Sequence, residues 1–429
     1  MVGKHMIVLS LDAVGSRDLA YMRTLPNFRA FLERAAGCEQ VRSVYPSLTY
    51  PAHTSIVTGR YPKNHGIVNN FPVQPERNPS DWFWQRRYVR GTTLYDEAAG
   101  HGMKVAALLW PVMGKAKIAC NLPEVLPNRP WQNQIMVSVL NGTPLYELKL
   151  QRRFGHLRDG VRQPQLDNFV HQSMLYTLKT ERPDLLLVHL TDVDTNRHQY
   201  GVETPEVMAA LRRHDERLGE LMETLKVMGW RDETNLVILG DHYQRDVTCA
   251  VCPNHVLLRK GYFTAKGGRV TSWRAIARDS DGSCYIYVKA REDEAEIRRI
   301  LEEMKARKDS GIERIFTGEE AAFMGADPEC AFMLEASEGY YFQNEWETYR
   351  IQAGPGSYLE NPHIQAATHG YLPEKPGYQT IFFAAGPDFK EGKRIESMSL
   401  VDEGPTLAQV PGVELKKADG RILWEIFLK

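Results

Sequence analysis

No apolar run in this sequence approaches the roughly 20 residues that a helix needs to cross a bilayer. The N-terminal stretch MVGKHMIVLSLDAVGS has a lysine and a short apolar run that breaks at Asp12. It is expected as a first strand, and neither as a signal peptide nor as a membrane span. Charge of one sign is lacking as well: 53 Lys and Arg face 54 Asp and Glu, a formal net charge of −1. That balance advertises no nucleic-acid surface, although it leaves room for a local patch. Cysteine is scarce, with six residues scattered over 429, a pattern that fits free thiols in a reducing compartment better than a disulfide framework. Cys249 and Cys252 form a C-x-x-C, but no second pair stands at zinc-finger spacing, so both read as ordinary thiols. Internal repeats and low-complexity runs are absent too. These absences leave a soluble cytoplasmic protein as the expectation, and they imply no oligomeric state.

What is present reads as α/β. Short apolar runs at 6–11, 104–110, 184–190, 235–239 and 380–385 have the length and character of central parallel strands. Between them lie helical patterns at 25–36, with Gly37 as the expected stop, and at 94–99, 167–180 and 205–228. The alternation predicts a mostly parallel central sheet flanked by helices. Residues 111–163, rich in Pro, Asn and Gln, read as a peripheral excursion with a helix near 144–153. Beyond Gly261 the pattern becomes strand 283–289, helix 292–308 and strands 311–316 and 331–342, a small α+β unit. The expected division is therefore a catalytic domain of 1–261 and 361–429, with an inserted cap of 262–360.

The stretch from Ser43 to Asn70, SVYPSLTYPAHTSIVTGRYPKNHGIVNN, frames Thr49 between Pro46 and Pro51. Proline suits a first helical turn, so a helix is expected to begin here and run through Thr58. Its N-terminus would favour a phosphate. Taken alone, Thr49 or Ser47 reads as an N-cap. The rest of the chain supplies another reading. Three predicted strands end in acid or acid-plus-histidine groups: Asp12; Asp194 with His198; and Asp241 with His242. His369 arrives later in a His-Gly turn. Ligands gather at the carboxyl ends of strands in open α/β sheets. Asp and His suit a divalent metal of borderline softness, and with Thr49 there are enough donors for two ions. Two ions roughly 3.5–4 Å apart can clamp the attacking and leaving oxygens of an in-line displacement.

Four motifs carry a resemblance: L-S-L-D-A; S-L-T-Y-P-A-H-T-S-I-V-T-G-R-Y-P-K-N-H-G-I-V-N-N; D-T-N-R-H-Q-Y-G; and G-D-H followed much later by T-H-G-Y. The sequence resembles the alkaline phosphatase superfamily, and within it the nucleotide pyrophosphatase/phosphodiesterase family. The resemblance implies one metal held by Asp12, Thr49, Asp241 and His242, and another held by Asp194, His198 and His369, with zinc the usual ion. It places the nucleophile on Thr49 and the phosphate-steadying asparagine on Asn70. Tyr50 falls where an aromatic residue packs against a nucleobase in that family; a core role is equally open.

The implied reaction is hydrolysis of a phosphate diester or nucleotide through a phosphothreonine, since metal coordination makes a threonine hydroxyl a usable nucleophile. A phosphomonoesterase or phosphonate hydrolase of the same superfamily is the alternative, and a non-catalytic metal-dependent binding protein a third reading. Two positions depart from the family pattern. Arg197 stands where glycine usually precedes the ligand histidine, and Tyr243 where glycine usually follows D-H. Arg197 is read as a surface side chain or, failing that, a phosphate contact, and Tyr243 as a residue narrowing the pocket.

Overall fold

The computed structural model describes residues 3–357, 361 and 364–428. Its frame is a nine-stranded sheet. Across the sheet the strands run Arg394–Ile395, Ala36–Arg42, Thr380–Ala385, Thr234–Leu239, His5–Leu11, Leu185–Leu190, Val105–Leu108 and Cys120–Leu122, with Met398–Ser399 also paired to Ala36–Arg42. The four pairings from Thr234–Leu239 to Cys120–Leu122 are parallel, while Thr380–Ala385 runs antiparallel to both its neighbours. The fold is the expected mostly parallel α/β sheet flanked by helices, which is the alkaline-phosphatase-like arrangement.

Alternation along the first strand shows why both faces are covered. Ile7, Leu9 and Leu11 point into a core with residues of helices Pro26–Arg34, Gln165–Thr180 and Pro205–Val227. Met6 and Val8 point the other way, against helices Thr49–Thr58, Leu94–Gly100 and Glu403–Gln409. A strand buried on both sides needs the unbroken apolar sequence seen here.

Three local expectations need correction. The helix expected to stop at Gly37 ends at Arg34, and Gly37 lies in the strand Ala36–Arg42. A Cβ there would sit 2.2 Å from the Phe382 carbonyl oxygen of the neighbouring strand, so this glycine permits a close strand pairing. Residues 331–342 form two strands, Phe332–Ala336 and Gly339–Phe342. An unforeseen helix, Gly318–Phe323, follows strand Ile312–Thr317 and is opened by a Thr317–Glu320 capping box.

Within 262–360, strands Ala275–Ser280, Ser283–Val288, Phe332–Ala336 and Ile312–Thr317 form an antiparallel sheet in that order. Three further strands gather on Arg245–Val251: Gly339–Phe342, Arg350–Gln352 and Ala367–Thr368.

Candidate functional site

Parallel register brings the acids together. Leu11 pairs with Leu190 and Ser10 with Leu239, so three adjacent strands end at one edge. Asp12 leaves the first strand with its N–H on the Leu190 carbonyl at 2.9 Å. Asp241 follows Thr234–Leu239 after one glycine, and its Oδ1 accepts the Ala13 N–H at 3.1 Å. Asp194 follows strand Leu185–Leu190 and lies in the first turn of helix Asp192–Tyr200. That placement puts Asp194 and His198 one turn apart on one helix face. The His198 Nδ1 faces the Ala367 carbonyl at 2.9 Å, which turns Nε2 to Asp194 at 3.3 Å. His369 closes the group, its ring centroid 5.1 Å from His198 and 4.1 Å from His242.

The candidate ligand atoms form two compact sets. Those of Asp194, His198 and His369 lie within 4.8 Å of one another, as do those of Asp12, Asp194 and His242. Asp194 belongs to both, and Asp241 Oδ2 stands 3.1 Å from His242 Nε2. Asp12 Oδ1 and Asp241 Oδ2 are buried without a hydrogen-bond partner. Buried orphan oxygens cost roughly 1–3 kcal/mol each or more when charged, and a cation between them removes that cost. The donor set of carboxylates and imidazoles fits a divalent ion of zinc's character.

Thr49 begins helix Thr49–Thr58 and is the one residue of that helix that is not buried. Its Oγ1 lies 3.2 Å from His242 Nε2. The capping reading is corrected: Leu48 occupies the N-cap position with no side-chain bond, and Ser47 Oγ is engaged by Tyr371 and Tyr378. Asn70 does the satisfying instead, its Oδ1 accepting the Tyr50 N–H at 3.0 Å. Tyr50 itself is buried beside Ile67, Val89 and Val112, 5.4 Å from the Trp82 ring, with its hydroxyl 3.3 Å from Glu124.

A second set of residues braces the first. His189 is a histidine inside the apolar strand Leu185–Leu190. It holds Asp12 Oδ2 at 2.9 Å through Nε2 and reaches Glu124 at 3.1 Å through Nδ1. His53 spans Ser10 Oγ and the Thr49 carbonyl, each at 2.8 Å, and Gln244 holds Asp194 Oδ1 at 2.5 Å. Sequence reasoning assigned none of these three a role. The only signal was a polar residue interrupting an apolar run, as at His189. A cavity of about 470 Å³, walled in part by Glu124, Leu166 and Phe169, opens onto His198.

Crowded burial shapes the electrostatics. Burial, aided by Asp194, pushes the Asp12 carboxyl up to about 7. Burial and then Asp12 raise Asp241 well above the carboxylate range. Burial and the neighbouring His198 push His369 down to about 3. Burial would lower His198 too, but Asp194 beside it carries it to about 9.

The family model described as type I phosphodiesterase / nucleotide pyrophosphatase matches residues 6–372. The chain belongs to that family. Among its relatives is venom phosphodiesterase 2 of Crotalus adamanteus, 26% identical over 257 residues, which are 57% of this chain and 27% of that protein. Human ectonucleotide pyrophosphatase/phosphodiesterase family member 1 is 25% identical over 252 residues, 57% of this chain and 24% of its own length. The chain thus spans about a quarter of these two relatives. Among solved structures, murine ectonucleotide pyrophosphatase/phosphodiesterase 5 superposes with a TM-score of 0.69 at 19% identity, covering 99% of this chain and 100% of that one. An inactive threonine-to-alanine variant of that murine protein, in complex with AMP, gives 0.68 at 18%, with the same coverage. At these identities the structural likeness shows the fold.

Both departures from the family's glycine pattern turn out to be one feature. Arg197 is neither a surface side chain nor a phosphate contact, because it is fully buried. Its guanidinium donates to the Ala13 carbonyl, pairs with Asp18 at 2.5 Å, and reaches the Tyr243 hydroxyl at 3.3 Å. It also lies 4.3 Å over the Tyr243 ring, a cation–π contact strengthened by desolvation. Tyr243 therefore points into the core beside Gly15, where a Cβ would approach its ring to 2.4 Å, and it does not narrow a pocket. Ala13, Arg197 and Tyr243 each adjoin a candidate ligand, so one side chain clamps three ligand-bearing segments. All six cysteines are free and buried.

Proposed function

We propose that this protein is a two-metal phosphodiesterase/nucleotide pyrophosphatase that works through Thr49. The observation that carries the reading is Thr49 Oγ1, half-buried at a helix start, 3.2 Å from His242 in a cluster of orphaned carboxylates and imidazoles. Family membership supports it, as does the AMP held by the murine neighbour.

Asp12, Thr49, Asp241 and His242 would hold one divalent ion and Asp194, His198 and His369 the other, zinc being the best match to the donors. Bound there, the ions would lower the pKa of the threonine hydroxyl and stabilise charge on the leaving oxygen. The protein's own part is positioning. The helix start favours the phosphate's negative charge. With Asn70 Oδ1 engaged by the backbone, its amide N–H remains for a phosphate oxygen. Thr49 Oγ1 gives up its proton to solvent and attacks phosphorus, the O–P bond forms, and the bond to the leaving group breaks as that oxygen takes a proton from solvent. Water then hydrolyses the phosphothreonine, restoring the hydroxyl and releasing a monoester.

Three carboxylates and an alkoxide balance two dications, so a singly charged diester suits the site at least as well as a doubly charged monoester. A free guanidinium would have favoured the monoester, but Arg197 is committed inside the protein. We assign the 262–360 unit to a cap over the site. Its turn between Ser280 and Ser283 receives Asn69 Nδ2 and lies against His369, with Asp281 3.7 Å from Nδ1. Six free thiols agree with a cytoplasmic setting.

The deciding experiment compares zinc-loaded protein on a nitrophenyl nucleotide diester and on nitrophenyl phosphate. Faster turnover of the diester is expected. Faster turnover of the monoester would overturn the assignment.

A further inference from the structure

The excursion between strands Cys120–Leu122 and Leu185–Leu190 presents an unusual outer face. Trp131, Leu140 and Leu145 are 73%, 65% and 74% exposed, and Ile135 and Leu148 are exposed beside them in sequence. They belong to two helices in contact with each other, Gln134–Asn141 and Pro144–Phe154, and to the segment before them. In the first helix Val137, Ser138 and Asn141 face inward, which leaves Ile135 and Leu140 outside. In the second, Tyr146, Glu147 and Leu150 face inward, and the outward stripe reads Leu145, Leu148, Lys149 and Arg152 at helical spacing. That stripe begins apolar and ends basic.

Charge follows the same division. Residues 111–163 hold eight Lys and Arg against three Asp and Glu, in a chain whose total is −1. Glu147 is buried, Glu124 is engaged by His189 and Tyr50, and Asp159 pairs with Arg162 at 2.9 Å. Arg129 pairs with Asp81, and Arg153 and Arg158 lie over Tyr176 and Phe169, whereas Lys149 and Arg152 are exposed with no acidic partner among the described residues.

We propose that this face docks on an anionic lipid bilayer, with Trp131, Leu140 and Leu145 entering the headgroup boundary and Lys149 and Arg152 on the lipid phosphates and carboxylates. Large exposed apolar side chains in one region mark an interaction surface. Helices that combine them with Lys and Arg lie in the plane of a membrane interface. A second copy of the chain is the poorer occupant. A two-fold interface is made of the same patch twice, so burying it would desolvate Lys149 and Arg152 of both copies with no acidic partner in the stripe. Docking of this kind needs no spanning segment, and among the described residues no helix is long and apolar enough to cross a membrane.

The test uses the full chain with sedimented vesicles of phosphatidylcholine alone or with phosphatidylserine at roughly 3:1. The mixed vesicles should retain the protein, the neutral ones much less, and added salt should release it. Lys149→Gln with Arg152→Gln should weaken retention about fivefold per residue. Leu145→Asp should weaken it further, with an unchanged melting temperature because the side chain is exposed. Brominated lipid should quench Trp131 emission, a signal lost in Trp131→Phe. Equal retention by both vesicle types, no retention by either, or retention untouched by the variants would each overturn the proposal. So would a dimer in solution that Leu145→Asp dissociates, since that result assigns the face to a second copy.

Discussion

The two halves of the candidate metal-ligand cluster are built differently. Asp12, Asp241 and His242 sit on strand ends, with side chains 3%, 0% and 0% exposed. Their neighbours His189, His53 and Ala13 fix them from below. Asp194 and His198 ride on one helix, with side chains 15% and 17% exposed, and His369 comes from a segment more than 160 residues further on. The first half is a property of the central sheet. The second depends on a helix and a late strand agreeing on one geometry, with Arg197 on that helix joining it to the Ala13 and Tyr243 segments of the first. Rigid elements hold a constellation more closely than loops do, so the second half should be the easier to disturb.

The largest expected effect falls on the residue between the halves. Thr49→Ala should lower turnover by about 10⁴-fold or more while zinc stoichiometry, read by elemental analysis, stays the same. Retained activity would remove Thr49 from the nucleophile's role. Next comes the clamp. Arg197→Ala strands Asp18 without its buried partner and should cost about 3–5 kcal/mol of stability, read as a denaturant midpoint. Loss of zinc should follow from the Asp194 side first, and an equal loss from both halves would erase the contrast drawn above.

His189→Ala and Gln244→Ala sharpen the same contrast from opposite sides. Each should weaken one zinc equivalent about 10–100-fold in a chelator competition, His189→Ala acting through Asp12 and Gln244→Ala through Asp194. If both variants weaken the same equivalent, the halves are not separable. The smallest effect belongs to Tyr243→Phe, which removes the hydroxyl but keeps the ring over Arg197. About 0.5–1.5 kcal/mol of stability should be lost, with turnover unchanged within a factor of about 5.

The sheet-borne half was also the more legible in sequence. A run such as MIVLSL ending in Asp12, or NLVIL leading to Asp241 and His242, declares both its strand and the edge where its acids emerge. Asp194 does follow its strand, but the helix that pairs it with His198 carries no apolar periodicity of its own to announce it. Arg197 shows the limit. Arginine is rarely buried without a partner, and the partners Ala13, Asp18 and Tyr243 come from distant segments that local pattern cannot join. Gly37 misled for a related reason. Its constraint comes from Phe382 across the sheet and not from the helix before it.

The small sheet centred on Arg245–Val251 ties the 262–360 unit to the segment that carries His369. Its central strand lies between Gly339–Phe342 on one edge and Arg350–Gln352 on the other, and its first two residues also pair with the Ala367–Thr368 segment that leads to His369. Swinging 262–360 away as a hinged lid would tear those ladders and drag His369 from its neighbours. Backbone ladders on both edges of Arg245–Val251 therefore hold the 262–360 unit in place. If that unit is the cap proposed above, it selects substrates by the shape completed when the chain folds, and no slow opening step enters turnover.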